Sequence, residues 1–197
     1  MNELLWYTGR GSGTVALVLL TLVMVLGIVA RSGRPLPGLP RFTVADVHRN
    51  ASLIAVGLVF IHLGVLFLDP IAELRLYDLV IPFDYVYRPL WAGLGVIGME
   101  LMVVVVATSL LRHRIGARVW RIVHWLSYAM WPLAWLHSWF IGTDADTVWF
   151  RLISIGCATA VVGAVAWRLT PRFLELDRPN AARELAARTK ASRSEAP

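Results

Sequence analysis

Five stretches of this chain are continuous, apolar and almost free of charge, each long enough to cross roughly 30 Å of hydrocarbon as a helix. They cover residues 12–30, 48–68, 90–111, 122–143 and 149–167. The first and fourth hold no Asp, Glu, Lys or Arg; the others hold only Arg49, Glu100 and Arg151 respectively. A bilayer interior has no water to satisfy loose backbone groups, so only helices and closed barrels cross it. Barrel strands are shorter and alternate lipid-facing with lumen-facing residues, whereas these runs are unbroken. The expected fold is therefore all-α, a polytopic membrane helix bundle with five transmembrane helices and room for a sixth, short or peripheral one.

Composition agrees. The chain is 57% hydrophobic and only 16% charged, below the roughly 25% charged residues of a soluble domain. Glycine and proline gather in the joints, as in R-S-G-R-P-L-P-G-L-P-R at 31–41, with Pro132 an exception inside the fourth stretch. The first stretch lacks the basic flank and small-residue cleavage site of a signal peptide, so it counts as a span. No repeat is evident. One bundle over residues 1–170 and a cytoplasmic tail over 171–197, a short helix or disordered, make up the expected organisation.

Basic residues are lopsided. Arg31, Arg34, Arg41 and Arg49 fall in one connection, and Arg112, Arg114, Arg118 and Arg121 in another, while the tail from Arg168 onward carries seven basic residues. The opposite connections hold Asp69, Glu73, Asp78, Asp84, Asp144 and Asp146 against Arg75 and Arg88. The positive-inside rule then places the N-terminus outside and the C-terminus in the cytoplasm of an inner membrane. That bias accounts for the net charge of +6 and leaves no aromatic-interleaved basic face for nucleic acid. The single Cys157 lies within the fifth span, where it serves packing and has no intrachain disulfide partner.

Four of the five histidines fall in two spans that run the same way. His48 and His62 are fourteen residues apart in the second; His124 and His137 are thirteen apart in the fourth. At 1.5 Å per residue these gaps are about 21 and 20 Å, so the histidines sit at two matched depths. Fourteen steps of 100° return to within about 40°, so His48 and His62 share a face. Thirteen steps leave His124 and His137 about 140° apart, and a kink at Pro132 is expected to re-aim His137. An isolated histidine near a helix end is ordinarily interfacial, but buried unsatisfied polar groups cost a few kcal/mol and four matched by depth ask for partners. Opposed imidazoles suit the two axial positions of a haem iron. Full axial occupancy favours electron transfer over ligand chemistry. Two readings remain beside this one: a haem-free membrane transporter or structural subunit with a proton or metal path through the histidines and Glu100, and a single-haem quinol-linked cytochrome b that needs one pair only. His113 has no counterpart and reads as a loop residue.

With these histidines in place, H-R-N-A-S-L and the following I-H-L, then P-F-D-Y-V-Y-R-P-L-W-A-G-L-G, T-S-L-L-R-H-R-I-G-A-R-V-W-R-I-V-H-W-L-S-Y and W-L-H, resemble the ferric reductase-like transmembrane domain family over roughly residues 10–168. That family includes the membrane cores of NADPH oxidases and ferric reductases and the haem subunit of a bacterial methionine sulfoxide reductase system. The resemblance implies two b-type haems, the inner on His48 and His124, the outer on His62 and His137. It also implies electron flow from the cytoplasm to an extracytoplasmic acceptor, namely ferric iron, oxygen or a periplasmic protein. Only about thirty residues follow the last span and contain no glycine-rich dinucleotide loop. A separate cytoplasmic flavoprotein reductase or a membrane quinol is therefore the expected donor, and the chain the haem subunit of an oxidoreductase.

Further residues enter as candidates. Arg49 beside His48 and Arg121 one turn before His124 are placed to meet the inner propionates, unless they answer only to the positive-inside rule. Arg88, with Tyr85 and Tyr87, is a weaker candidate at the outer haem. The connection 69–89 is expected to cover the outer haem edge. Glu100, mid-span, costs roughly 2.5–3.5 kcal/mol to insert as a charge, which predicts a protonated or paired group. Three readings stand for it: a hydrogen bond to a ligand histidine, a proton relay to a quinone, or an interhelical hydrogen bond with no redox role. Tryptophans 120, 125, 131, 135 and 139 read as belt and packing residues, and Asp46 as a helix cap.

Overall fold

The computed structural model describes residues 2–32, 41–170 and 173. The connection 33–40 and the tail beyond 173, expected as a short helix or disorder, lie outside the described residues. Seven α-helices follow one another: α1 (Asn2–Ser32), α2 (Arg41–Leu68), α3 (Pro89–Leu110), α4 (Arg112–Ile115), α5 (Ala117–His124), α6 (Ser127–Ile141) and α7 (Val148–Arg168), with a 3₁₀ turn at Leu76–Leu79. Among the described residues there is no strand. Four helices are long and apolar enough to cross a membrane: Glu3–Ser32, Thr43–Leu68, Pro89–Leu110 and Val148–Arg168. The protein is a multi-pass membrane protein.

The fourth expected span departs from a single helix. It divides into α5 and α6 at Trp125–Leu126, and α6 alone, at 15 residues, is about 22 Å long. At the division Trp125, Leu126, Tyr128 and Ala129 donate to carbonyls three residues back rather than four. This is a tightened 3₁₀-like turn. Pro132, expected to be the kink, lies within an uninterrupted α6. Among the described residues no sixth spanning helix is present; α4 is a single turn in the 111–116 connection.

The bundle has two ends. Its amino end carries the start of α1 and the connections 69–88 and 142–147; its arginine end carries the 111–116 connection. α1 packs along α2 and also meets α6 and α7, while α3 packs along α6 and α5. Contacts fix the directions: Gly9 lies against Leu66 and Gly27 against His48, so α1 and α2 are antiparallel; Gly95 lies against His137 and Gly98 against Met130, so α3 and α6 are antiparallel. α2 and α6 therefore run the same way. They are not a closely packed pair.

The core joins Leu17, Leu20, Met24 and Ile28 of α1 with Ala55, Met102, Met130, Trp131, Cys157 and Val161. Small residues let backbones approach, as membrane helices require: a Cβ on Gly98 would meet Met130 O and Ala134 N of α6 at 3.8 and 3.7 Å. Trp131, 5% exposed, donates its indole N–H to Thr21 Oγ1 at 3.0 Å, tying α6 to α1 mid-bundle. Outward residues such as Leu53, Ile54, Phe60, Leu152, Ile155 and Val162 are exposed and apolar, a surface for lipid. At the amino end, Glu73, Phe83 and Arg88 hold positive φ of 47°, 72° and 48°, folding the 69–88 connection back over the bundle. The Phe83 ring occupies the place a Cβ on Gly93 would need, 2.2 Å away.

Candidate functional site

His48 and His124 face each other at the arginine end, ring centroids 6.4 Å apart and planes inclined by 73°. An imidazole nitrogen lies about 2.0–2.1 Å from a metal it binds. Adding about 1.2 Å from each nitrogen to its ring centroid, two imidazoles on opposite sides of one metal would hold centroids roughly 6.4 Å apart. The pair thus stands at the spacing of two ligands on a common metal.

His62 and His137 line one cavity of ≈520 Å³ at the amino end, within the range of small-molecule and cofactor clefts. Its walls are mainly apolar residues of α1, α2, α3 and α6. The 69–88 connection lines it with Asp69, Leu74, Asp78 and Tyr85 among others. Tyr85 donates to Ala72 O; burial, assisted by Asp78 and Glu73, raises its phenol above the usual range, so it stays a neutral donor.

The tightened turn at Trp125–Leu126 separates His124, at the end of α5, from His137 of α6 and brings the two toward one side of the bundle. A 3₁₀ residue advances about 120° rather than about 100°. Over four or five residues this adds roughly 80–100°, cutting the 140° mismatch to roughly 40–60°. The larger 3₁₀ rise also lengthens the His124–His137 interval by about 2 Å, toward the His48–His62 interval.

Three imidazoles are seated by one device. His62 Nδ1 bonds Gly9 O at 2.8 Å, His48 Nδ1 bonds Val23 O at 3.0 Å, and His137 Nδ1 bonds Trp91 O at 2.9 Å. A carbonyl only accepts, so each Nδ1 carries the proton and each Nε2 keeps its lone pair, the tautomer of a metal ligand. Four residues after each carbonyl stands a glycine against the same ring. A Cβ on Gly13 would meet His62 at 3.0 Å, one on Gly27 His48 at 3.2 Å, and one on Gly95 His137 at 2.3 Å. His124 differs: its Nδ1 is buried without a hydrogen-bond partner, and the Trp120 ring lies 5.1 Å from it.

Arg49 and Arg121 are exposed, and neither has an ion pair among the described residues. Arg88 donates to Phe140 O at the end of α6 and lies over the Tyr87 ring; it does not line the cavity. Glu100 is half-buried, is outside the cavity lining, and bonds no histidine, whose partners are backbone carbonyls. Asp46 is exposed and falls within α2 rather than before it. Among the described residues no three His, Cys, Asp or Glu side chains gather to hold a metal ion.

Sequence reasoning passed over the carbonyl–glycine seats and Arg10. Gly13 and Gly27 are fourteen apart, as are Gly9 and Val23, repeating the His48–His62 interval on the neighbouring helix. That shared interval is the signal that was there to find. Arg10 lines the cavity and forms an ion pair with Asp144, joining α1 to the 142–147 connection.

A protein-family model described as ferric reductase like transmembrane component matches residues 12–135. The match takes in His48, His62 and His124 and stops two residues before His137, whose place in the site therefore rests on the geometry above. No curated protein and no solved structure matches the chain.

Proposed function

The chain belongs to the ferric reductase like transmembrane family, and from that premise we propose that it is a bis-haem b-type cytochrome carrying electrons across the membrane. His48 and His124 hold one haem iron; His62 and His137 hold the other. The observation that carries this reading is the 6.4 Å separation of the His48 and His124 rings. Among the described residues no third His, Cys, Asp or Glu joins either pair, and the four nitrogens of a porphyrin would supply the remaining donors.

Each haem, when bound, supplies a one-electron Fe(III)/Fe(II) couple. The protein's part is to hold the couple still and dry. Carbonyls of Gly9, Val23 and Trp91 orient three imidazoles and strengthen them as donors. His48 with His124 and His62 with His137 would hold the two haems, and a group so held would serve electron transfer rather than ligand chemistry. Apolar helix faces exclude water, and the 69–88 connection covers the amino-end site. With basic connections on the cytoplasmic side, the His48–His124 site is the inner one. Electrons enter there from a cytoplasmic flavoprotein reductase or a membrane quinol. They leave past His62 and His137 to an extracytoplasmic acceptor: ferric iron, oxygen or a periplasmic protein.

The test is pyridine haemochrome quantitation of the purified chain, with reduced-minus-oxidised spectra. Two b haems per chain are expected, with one lost on His48→Ala or His124→Ala and the other on His62→Ala or His137→Ala. One haem in the unaltered chain would favour a single-haem quinol-linked cytochrome. None, from haem-replete cells, would overturn the reading in favour of a haem-free transporter or structural subunit.

A further inference from the structure

Helix α7 contains no histidine and packs chiefly along α1, yet its last residue reaches the segment that follows His124. The Arg168 guanidinium lies 4.5 Å from the centroid of the Trp125 ring and 5.3 Å from that of Tyr128, and it donates to the Tyr128 hydroxyl. The Phe173 ring lies 5.9 Å from the same group. Trp125 and Tyr128 belong to the tightened turn: Tyr128 N–H donates to Trp125 O, three residues back, at 3.0 Å. Their rings lie 5.0 Å apart, inclined by 30°. Side chains three residues apart eclipse in a 3₁₀ turn, so the two rings line up and one planar cation meets both. A regular α-helix would offset positions 125 and 128 by about 60° and draw the rings apart.

His124 needs such a hold. A backbone carbonyl seats each of the other three imidazoles, whereas His124 Nδ1 is buried without a hydrogen-bond partner. Its direction rests on the Trp120 ring beside it and on its own backbone, which enters the tightened turn at the next residue. We propose that Arg168 is a positioning residue for the His48–His124 site: by clamping Trp125 to Tyr128 it holds the tightened turn, and so keeps the His124 imidazole opposite His48. Arg168 acts through the turn and not on the iron. The inference rests on the bis-haem reading above.

The test uses full-length chains that retain one haem each: His62→Ala, which keeps the haem of His48 and His124, and His48→Ala, which keeps the other. Arg168→Met is added to each, and haem loss is followed by transfer to excess apomyoglobin. In the His62→Ala chain the loss should quicken roughly threefold or more, the scale of one lost cation–π contact. In the His48→Ala chain it should not change. The low-spin ferric EPR signal responds to how the two axial imidazole planes are set against each other, and it should shift in the His62→Ala chain alone. If the Arg168→Met chains do not fold, Tyr128→Phe, which removes the hydroxyl and keeps the ring, decides with the same expected pattern. An unchanged loss rate and EPR signal in the His62→Ala chain would overturn the proposal. So would equal changes in the two chains, which would make Arg168 a general support of the bundle. An unaltered chain without two haems would overturn the bis-haem reading itself, and that is seen before any Arg168 variant is made.

Discussion

His48 and His124 belong to helices that are not closely packed on each other, yet their rings stand 6.4 Å apart across the gap. Each helix is held by a different neighbour, α2 by α1 and α5, which carries His124, by α3. The spacing between the imidazoles is therefore a property of four helices rather than two, and disturbing α1 or α3 should be felt at the ligands.

The glycine seats give the first such test. A Cβ on Gly95 would lie 2.3 Å from His137 Nδ1, whereas one on Gly27 would lie 3.2 Å from His48 Cε1. Gly95→Ala is expected to lose at least half of one haem equivalent per chain, and Gly27→Ala to keep nearly all of it. Haem-to-protein ratios of the two purified variants decide this; equal ratios would separate the seats from the ligands.

Pro132 gives the second. α6 is continuous through Pro132, and the irregular turn lies earlier, at Trp125–Leu126. Pro132→Ala restores a backbone donor to the helix and should leave two haems in place with stability unchanged or raised. A fall to one haem would show that the proline, and not the 3₁₀-like turn, aims His137.

Glu100 is the third. It lies outside the cavity and bonds none of the histidines. Glu100→Gln should leave haem content and both midpoints at the values of the unaltered chain. A shifted midpoint in redox titration would return this carboxyl to the electron path.

The Arg10–Asp144 ion pair is the fourth. Its side chains are 31% and 9% exposed, between the exposed and the buried regimes. Arg10→Met and Asp144→Asn should each cost about 1–3 kcal/mol, below the 3–5 of a fully buried pair. The double substitution should cost less than the two single losses together. Thermal melts in detergent measure all three; strict additivity would mean that the pair contributes no coupling.

Much of this was legible along the chain. Hydropathy marked α1, α2, α3 and α7, because a spanning helix must meet its length and polarity conditions within itself. The fourteen-residue interval placed His48 and His62 on one face, because an unbroken α-helix keeps a fixed angle per residue. The 69–89 connection was expected over the outer site, and several of its residues do line the amino-end cavity. The division of the fourth span was not legible, since W-L-S-Y carries no glycine or proline to mark a tightened turn. Pro132 drew the expectation instead.

What the sequence by itself determined is the class of fold and the depth of each histidine, both functions of local composition and of the helical repeat. Only the tertiary structure decided which carbonyl meets which Nδ1, and that Gly13, Gly27 and Gly95 make room for rings on other helices. The physical reason is that a glycine or a carbonyl acquires its partner only when another helix packs against that face. Packing between helices depends on shape summed over whole surfaces, and no local period encodes it.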